Sequence, residues 1–292
     1  MAAWVLKELG KELAKELTHA AIEEALSIGE KDDAKNEKEM EVKKKNLTYK
    51  GSTINGKPHG QGVMTFTSGW KYDGSFVNGE PVECCVTKSG SSVVYSGQLR
   101  KFKRHGEGIL TWKTPQGSTG SYKGSWYRGE KQGPGIMEIT VPGEYSCVWD
   151  CSWHNGQREG YGTLRWTEGK SKGNVWEGVF REGERYFGKL MSTSGTVSEG
   201  EWKDGKLVRG TMQLPSGNVW EGEFIDGKCV RGKFVLKSGT VLHGEFENGS
   251  LKEGGFARRS DGTIVVGGFD KNKPVRGHEI RPSGEIVNFD KQ

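Results

Sequence analysis

Cys147, Cys151 and His154 are the residues of this 292-residue chain whose types best suit a metal. Zinc gathers cysteine and histidine in a tetrahedron of ligands about 2–2.3 Å away. The stretch Y-S-C-V-W-D-C-S-W-H alternates as a strand does, and residues four apart on a strand lie about 13 Å from each other. Only a bulge in the strand would let one ion reach both cysteines, so no metal is expected. His59 and His105 each stand just before a Gly-x-Gly. That places them in a repeated pattern and argues against work as general bases. Those Gly-x-Gly pairs follow a turn and enter a strand, whereas a nucleotide fingerprint leads into a helix. Cys84 and Cys85 are adjacent and read as small buried residues. An odd, irregularly spaced set of five cysteines fits reduced thiols. No catalytic residue and no cofactor are expected.

The chemistry left is electrostatic. Arg100, Lys101, Lys103 and Arg104 form a basic run where neighbouring segments carry a glycine turn. The run is a candidate anion-binding loop for phosphate or an acidic partner; a solvated loop is the plainer alternative. The formal charge of +5 divides into −2 over residues 1–46 and +7 over the rest. Such a surface attracts acidic protein or phosphoinositide weakly, and no nucleic acid is expected.

The elements that would position these residues are read from repetition. Starts fall at Tyr49, Tyr72, Tyr95, Tyr122, Trp149, Trp176, Ser198, Trp220, Leu242 and Val265, 22–27 residues apart. The third position is glycine in every unit except at Cys151, and the fifth is usually a ring, with Thr53 and Leu99 the exceptions. Positions one, three and five share one face of a strand, and a glycine there leaves room for a neighbouring ring. Pairs such as Asn55-Gly56, Asn78-Gly79 and Asp226-Gly227 follow, as type I′ hairpins require. A second strand and a Ser-Gly turn complete the unit. With 46 glycines, 10 tryptophans and only 33% hydrophobic residues, the chain suits short strands and tight turns. Each hairpin is unstable alone, and ten in series bury their rings on one another. Extra residues near 113–121, 139–147 and 167–174 are expected to project from one edge.

Ahead of the repeats, Leu6, Leu9, Leu13 and Leu17 recur at three- and four-residue steps with Lys and Glu between them. They predict an amphipathic helix over about residues 3–28. Residues 30–46 are almost wholly charged and read as a linker or solvated helix extension. The domains expected are therefore 1–46, helix and linker, and 47–292, repeats. No apolar run is long enough to span a membrane, and the N-terminus lacks the apolar centre of a secretory signal. A cytoplasmic protein is expected.

The pattern Tyr-x-Gly-x-Trp/Phe-x-x-Gly with a following Gly-x-Gly, fullest at Tyr122–Gly135, resembles the MORN repeat. The resemblance runs from residue 49 to about 289 and weakens in the C-terminal half, where the paired glycines shrink to Gly210, Gly232 and Gly277. It implies an all-β fold: an elongated antiparallel β-hairpin solenoid of about ten repeats, here with an N-terminal α-helix. It also implies a non-catalytic scaffold for protein partners, at a membrane periphery or the cytoskeleton. Alternatives are a tether to anionic phospholipid and a regulatory subunit for an enzyme on another chain. Tyr49, Tyr72, Tyr95, Tyr122, Trp149, Trp176 and Trp220 are the candidate lining of a partner groove, with packing on one another as the equal alternative. Leu6, Leu9, Leu13 and Leu17 are the candidate helix interface. The length of the charged stretch favours docking on another chain, a second copy included, over capping the hairpin at Tyr49.

Overall fold

The computed structural model describes residues 22, 23, 25 and 38–290, apart from the side chains of 38–40. Leu6, Leu9, Leu13 and Leu17 lie outside the described residues, and with them nearly all of the expected helix; Ile22, Glu23 and Ala25 are helical. The rest is antiparallel β structure. Two compact units emerge, Met1–Pro142 with Ser152–Gln157, and Gly143–Cys151 with Arg158–Gln292.

In the first unit the strands are β1 (Lys38–Lys43), β2 (Leu47–Ile54), β3 (Lys57–Phe66), β4 (Trp70–Val77), β5 (Glu80–Lys88), β6 (Val94–Arg100), β7 (Lys103–Lys113), β8 (Thr119–Tyr127) and β9 (Glu130–Val141). Each pairs antiparallel with the next. β10 (Tyr145–His154) divides between the units. The second unit continues with β11 (Gln157–Gly169), β12 (Val175–Arg181), β13 (Glu184–Met191), β14 (Val197–Lys203), β15 (Lys206–Gln213), β16 (Val219–Ile225) and β17 (Lys228–Val235). It ends in β18 (Val241–Glu247), β19 (Ser250–Leu251), β20 (Phe256–Arg258), β21 (Ile264–Asp270), β22 (Lys273–Ile280) and β23 (Ile286–Asp290).

Ten hairpin turns among the described residues carry two successive residues at positive φ, from Asn55-Gly56 (53° and 67°) to Lys271-Asn272 (45° and 67°). This is the type I′ turn, whose twist matches that of the strands it joins. Four of the ten lack an Asn/Asp-Gly pair, and Lys101-Phe102 is the most demanding of these, with Phe102 at φ 63°. A bulky residue there is a genuine outlier. Its ring is buried edge-on to Tyr72 at 5.4 Å and Phe66 at 6.1 Å, which holds the strained turn in place.

The third-position glycines face glycines of the adjacent strands: Gly51 faces Gly62, Gly62 faces Gly74, and Gly200, Gly210, Gly222 and Gly232 follow one another in register. The glycines of this row are needed for different reasons in different repeats. A Cβ on the second-strand Gly62 would stand 2.6 Å from Cζ of the Tyr49 ring, so there the glycine does lie under a ring. Third-position Gly222 instead has φ +151°, and a Cβ on it would collide with the Arg231 carbonyl and stand 2.8 Å from Cα of Gly232. Its neighbour is backbone, and the ring expected above it is not among its nearest contacts.

Two expectations are corrected. Residues 38–43 are β1, an edge strand paired with β2 from Lys38↔Thr53 to Lys43↔Thr48, so this part of the charged stretch is no linker. Charge is compatible with an edge, where it discourages further pairing, and Glu41 sits 3.2 Å from Lys43 and 3.5 Å from Lys50. The extra residues near 113–121 and 139–147 lengthen strands, to 11 residues in β7 and 12 in β9, and Trp112 and Ile139 are buried there. They widen the core and do not project as loops.

Gly222→Ala is expected to lower stability by about 1–3 kcal/mol through backbone strain and collision. Gly227→Ala, at φ +78° with nothing within 4 Å of its Cβ, should cost only about 1 kcal/mol. Denaturant midpoints of the two variants check this; equal losses would refute the backbone argument.

Candidate functional site

The seven rings proposed as a groove lining form core. Tyr49, Tyr72, Tyr95, Tyr122, Trp149 and Trp176 are buried, and Trp220 is half-buried, stacked on Phe234 at 3.9 Å. Their order is regular. The fifth-position ring of one unit meets the first-position ring of the unit before: Phe76 meets Tyr49 at 5.3 Å and Trp153 meets Tyr122 at 5.3 Å. All are edge-on, the arrangement that ring quadrupoles favour. The hydroxyls of Tyr49, Tyr95 and Tyr122 donate to the carbonyls of Ser52, Gln98 and Ser125 at 2.7–3.1 Å. Trp126, Trp153 and Trp202 donate Nε1–H to the carbonyls of Gly108, Gly135 and Gly188. Burial pushes the Tyr49 hydroxyl up to about 12 and Tyr95 further in the same direction. The rings therefore hold the fold, and a partner cannot reach their faces without opening it.

Arg100, Lys101 and Lys103 do come together. The turn at Lys101-Phe102 presents them to solvent, and the next turn, Arg128-Gly129, stands beside it. The result is an open cleft of about 350 Å³ lined by Arg100, Lys101, Lys103, His105, Tyr127 and Arg128. The Arg128 guanidinium lies 5.2 Å from the Tyr127 ring and His105 lies 5.3 Å from the same ring. Glu80 borders the cleft, its carboxylate accepting the Lys101 backbone N–H at 3.3 Å. None of the cleft's lining residues is acidic.

Arg104 departs from this group. Its guanidinium donates to the Gly129 carbonyl at 3.0 Å and lies 4.6 Å over the Trp126 ring. The same position in later hairpins repeats the contact: Arg158 donates to the Gly183 carbonyl at 2.9 Å, and Arg185 to the Gly205 carbonyl at 2.7 Å. Burial lowers both of these arginines, Arg185 to about 10. Arg104 is thus a structural clamp between adjacent turns. Sequence reasoning missed Arg128 and Tyr127, and the usable signal was their place one repeat on, since successive hairpin turns share one edge.

Six segments match the family model for the MORN repeat: residues 49–71, 95–114, 122–139, 152–171, 199–219 and 220–241. The chain belongs to the MORN-repeat family. No curated protein matches the chain. The MORN segments begin where the sequence places repeat starts or within three residues of them, and the hairpins at Tyr72 and Trp176, outside the matched segments, have the same turn geometry. At Tyr72 the departure is chemical. Cys84 replaces the second-strand glycine, and its thiol donates to the Ser75 carbonyl at 3.6 Å, the bond that tyrosine hydroxyls make in three other units.

Four of the five cysteines are packing residues too, and Cys85 departs from the burial expected of it. Cys84, Cys147, Cys151 and Cys229 are buried and Cys85 is exposed. Cys147 and Cys151 face inward on β10 while His154 is on the exposed face, so the three do not converge. No group of three or more metal-ligating side chains occurs among the described residues. Burial raises the Cys84 and Cys147 thiols to about 12 and Cys229 to about 11. Thiolate is the reactive form. Iodoacetamide at pH 8 should label Cys85 and spare Cys84, Cys147 and Cys229 in the native protein, as read by peptide mass spectrometry. Labelling of Cys84 as fast as Cys85 would refute the packing described for it.

Proposed function

We propose that this MORN protein is a non-catalytic scaffold that binds protein partners and helps to organise an assembly. The observation that carries the reading is an exposed row on the second unit. Tyr161, Val179 and Phe187 face one another across β11, β12 and β13, and their exposures are 59%, 37% and 49%. Contiguous apolar side chains of this kind mark interaction surfaces. The Tyr161 hydroxyl is tied to Glu177, which fixes one end of the row. Partner binding here uses the outer face, so the buried rings stay buried. The helix interface at Leu6, Leu9, Leu13 and Leu17 remains a second contact in this reading, to a partner or to another copy. No helix among the described residues is long and apolar enough to cross a membrane.

A second reading rests on the basic cleft. Arg100, Lys101, Lys103 and Arg128 form a cluster suited to anionic headgroups at a membrane periphery. Each basic residue near such a surface contributes about 1 kcal/mol, falling off within a Debye length.

Two experiments separate the readings. Affinity capture from the native source should lose a defined set of proteins when Val179 and Phe187 are both changed to Glu, with the melting temperature unchanged. Retention of the whole set would overturn the outer-row interface, and the Leu9→Glu, Leu13→Glu variant would then test the helix. Co-sedimentation with anionic vesicles should be weak at 0.15 M salt if the scaffold reading holds. Strong salt-sensitive binding that is lost on changing Lys101 and Arg128 to Glu would favour the tether.

A further inference from the structure

In the regular MORN hairpins the first-position ring is covered by the fifth-position ring of the next unit. Trp126 covers Tyr95 at 5.6 Å in this way, as Phe76 covers Tyr49 and Trp153 covers Tyr122. Over Tyr72 the residue due is Leu99, which has no ring. Phe102 reaches back from its strained turn to cover one side of Tyr72. Beside them remains a cavity of about 160 Å³. Its floor is one cross-strand row, Tyr72–Val86–Tyr95–Leu110, on four consecutive strands. Its rim includes the exposed Ser89 and Gly90.

The cavity's volume is that of a site that admits benzene. Its apolar walls suit a ring, and its charge selects what the ring carries. Lys88 lines the cavity with its ammonium 5.3 Å from the Trp70 ring. Lys88 makes no ion pair among the described residues. Arg104 also borders the cavity, and no Asp or Glu does. A cationic ligand would meet two like charges, and an aliphatic ring would forgo the edge-to-face attraction available at Tyr72.

We propose that this cavity is a binding site for a small monocyclic aryl carboxylate. The ligand's ring takes the place over Tyr72 that a protein ring takes in neighbouring repeats, and its carboxylate pairs with the Lys88 ammonium. The site is distinct from the basic cleft: Phe102 and Arg104 face the cavity, whereas Lys101 and Lys103 face the cleft.

Phenylacetate is the probe, followed on the full chain by ligand-observed saturation-transfer NMR and calorimetry. A ligand of this size is expected to bind with Kd on the order of 1 mM. The amine 2-phenylethylammonium and the aliphatic cyclohexylacetate should each bind about tenfold more weakly or not at all. Leu99→Trp restores the missing ring and should abolish phenylacetate binding without lowering the melting temperature. If that variant melts early, Leu99→Phe is the milder filling. Lys88→Gln, at a half-exposed position, should lose the preference for acid over amine while keeping the fold. Absence of phenylacetate binding at 10-fold excess over about 1 mM, or undiminished binding in a folded Leu99 variant, would overturn the proposal.

Discussion

The structure depends on keeping one row of each sheet nearly free of side chains. Where Gly51 faces Gly62 and Gly62 faces Gly74, the backbones come close and the Tyr49 ring lies over the second-strand glycine. That placement brings the hydroxyl within 2.7 Å of the Ser52 carbonyl. It also sets the ring in a T-shaped contact with Phe76 on the next hairpin. A side chain in the row would displace the ring, break the hydroxyl's bond and uncover the neighbour. Fully burying one such ring is worth about 1.5–3 kcal/mol, so the coupling between consecutive repeats rests on an atom that is absent.

This constraint explains which parts of the fold are legible in sequence. Positive φ at both central residues of a type I′ turn admits few residue types, and six Asn/Asp-Gly pairs mark their turns openly. Tertiary contacts override that code at Lys101-Phe102, where burial of the ring against Tyr72 and Phe66 offsets the strain. The same period-two alternation that places rings on one face also decides the basic run. Arg104 turns inward to the Gly129 carbonyl while Lys101 and Lys103 point out. The four like charges between Arg100 and Arg104 therefore belong to two different sites. Edge strand β1 was hidden because its composition is that of a solvated linker, and what makes it a strand is backbone pairing to β2, which composition does not report.

Cations half-buried against a β core would ordinarily be costly. Here Arg158 lies 5.1 Å from the Trp149 ring and 5.6 Å from Phe180, and Arg185 lies 5.0 Å from Trp202. Their guanidiniums also donate to turn carbonyls of the next hairpin. Electron-rich faces and a carbonyl dipole replace the lost water. The arrangement fastens turn to turn along the edge, as the rings fasten strand to strand across the face. Where hairpins lack the arginine, Lys131 takes its place 4.5 Å over the Trp153 ring, or an apolar residue does, Leu207 and Cys229 being buried there. The position needs cover for the ring and can take it from a charge or from a hydrophobe.

The departures from regularity are not scattered. Cys84, Leu99, Phe102 and the run of basic residues all fall within one stretch of about 20 residues in the first unit. Each departure is linked to another by packing. Cys84 fills the glycine row and takes the Ser75 carbonyl, so Tyr72 cannot settle as Tyr49 does. Leu99 leaves Tyr72 without its usual cover, and Phe102 supplies part of it only by accepting a strained turn. A turn built on Phe102 rather than glycine then sets Lys101 and Lys103 on the outer face, next to Arg128. A change in the core thus appears on the surface at the same hairpin. Strain that packing alone must maintain is most often found where a protein meets a ligand, and here the cavity and the cleft meet at that one turn.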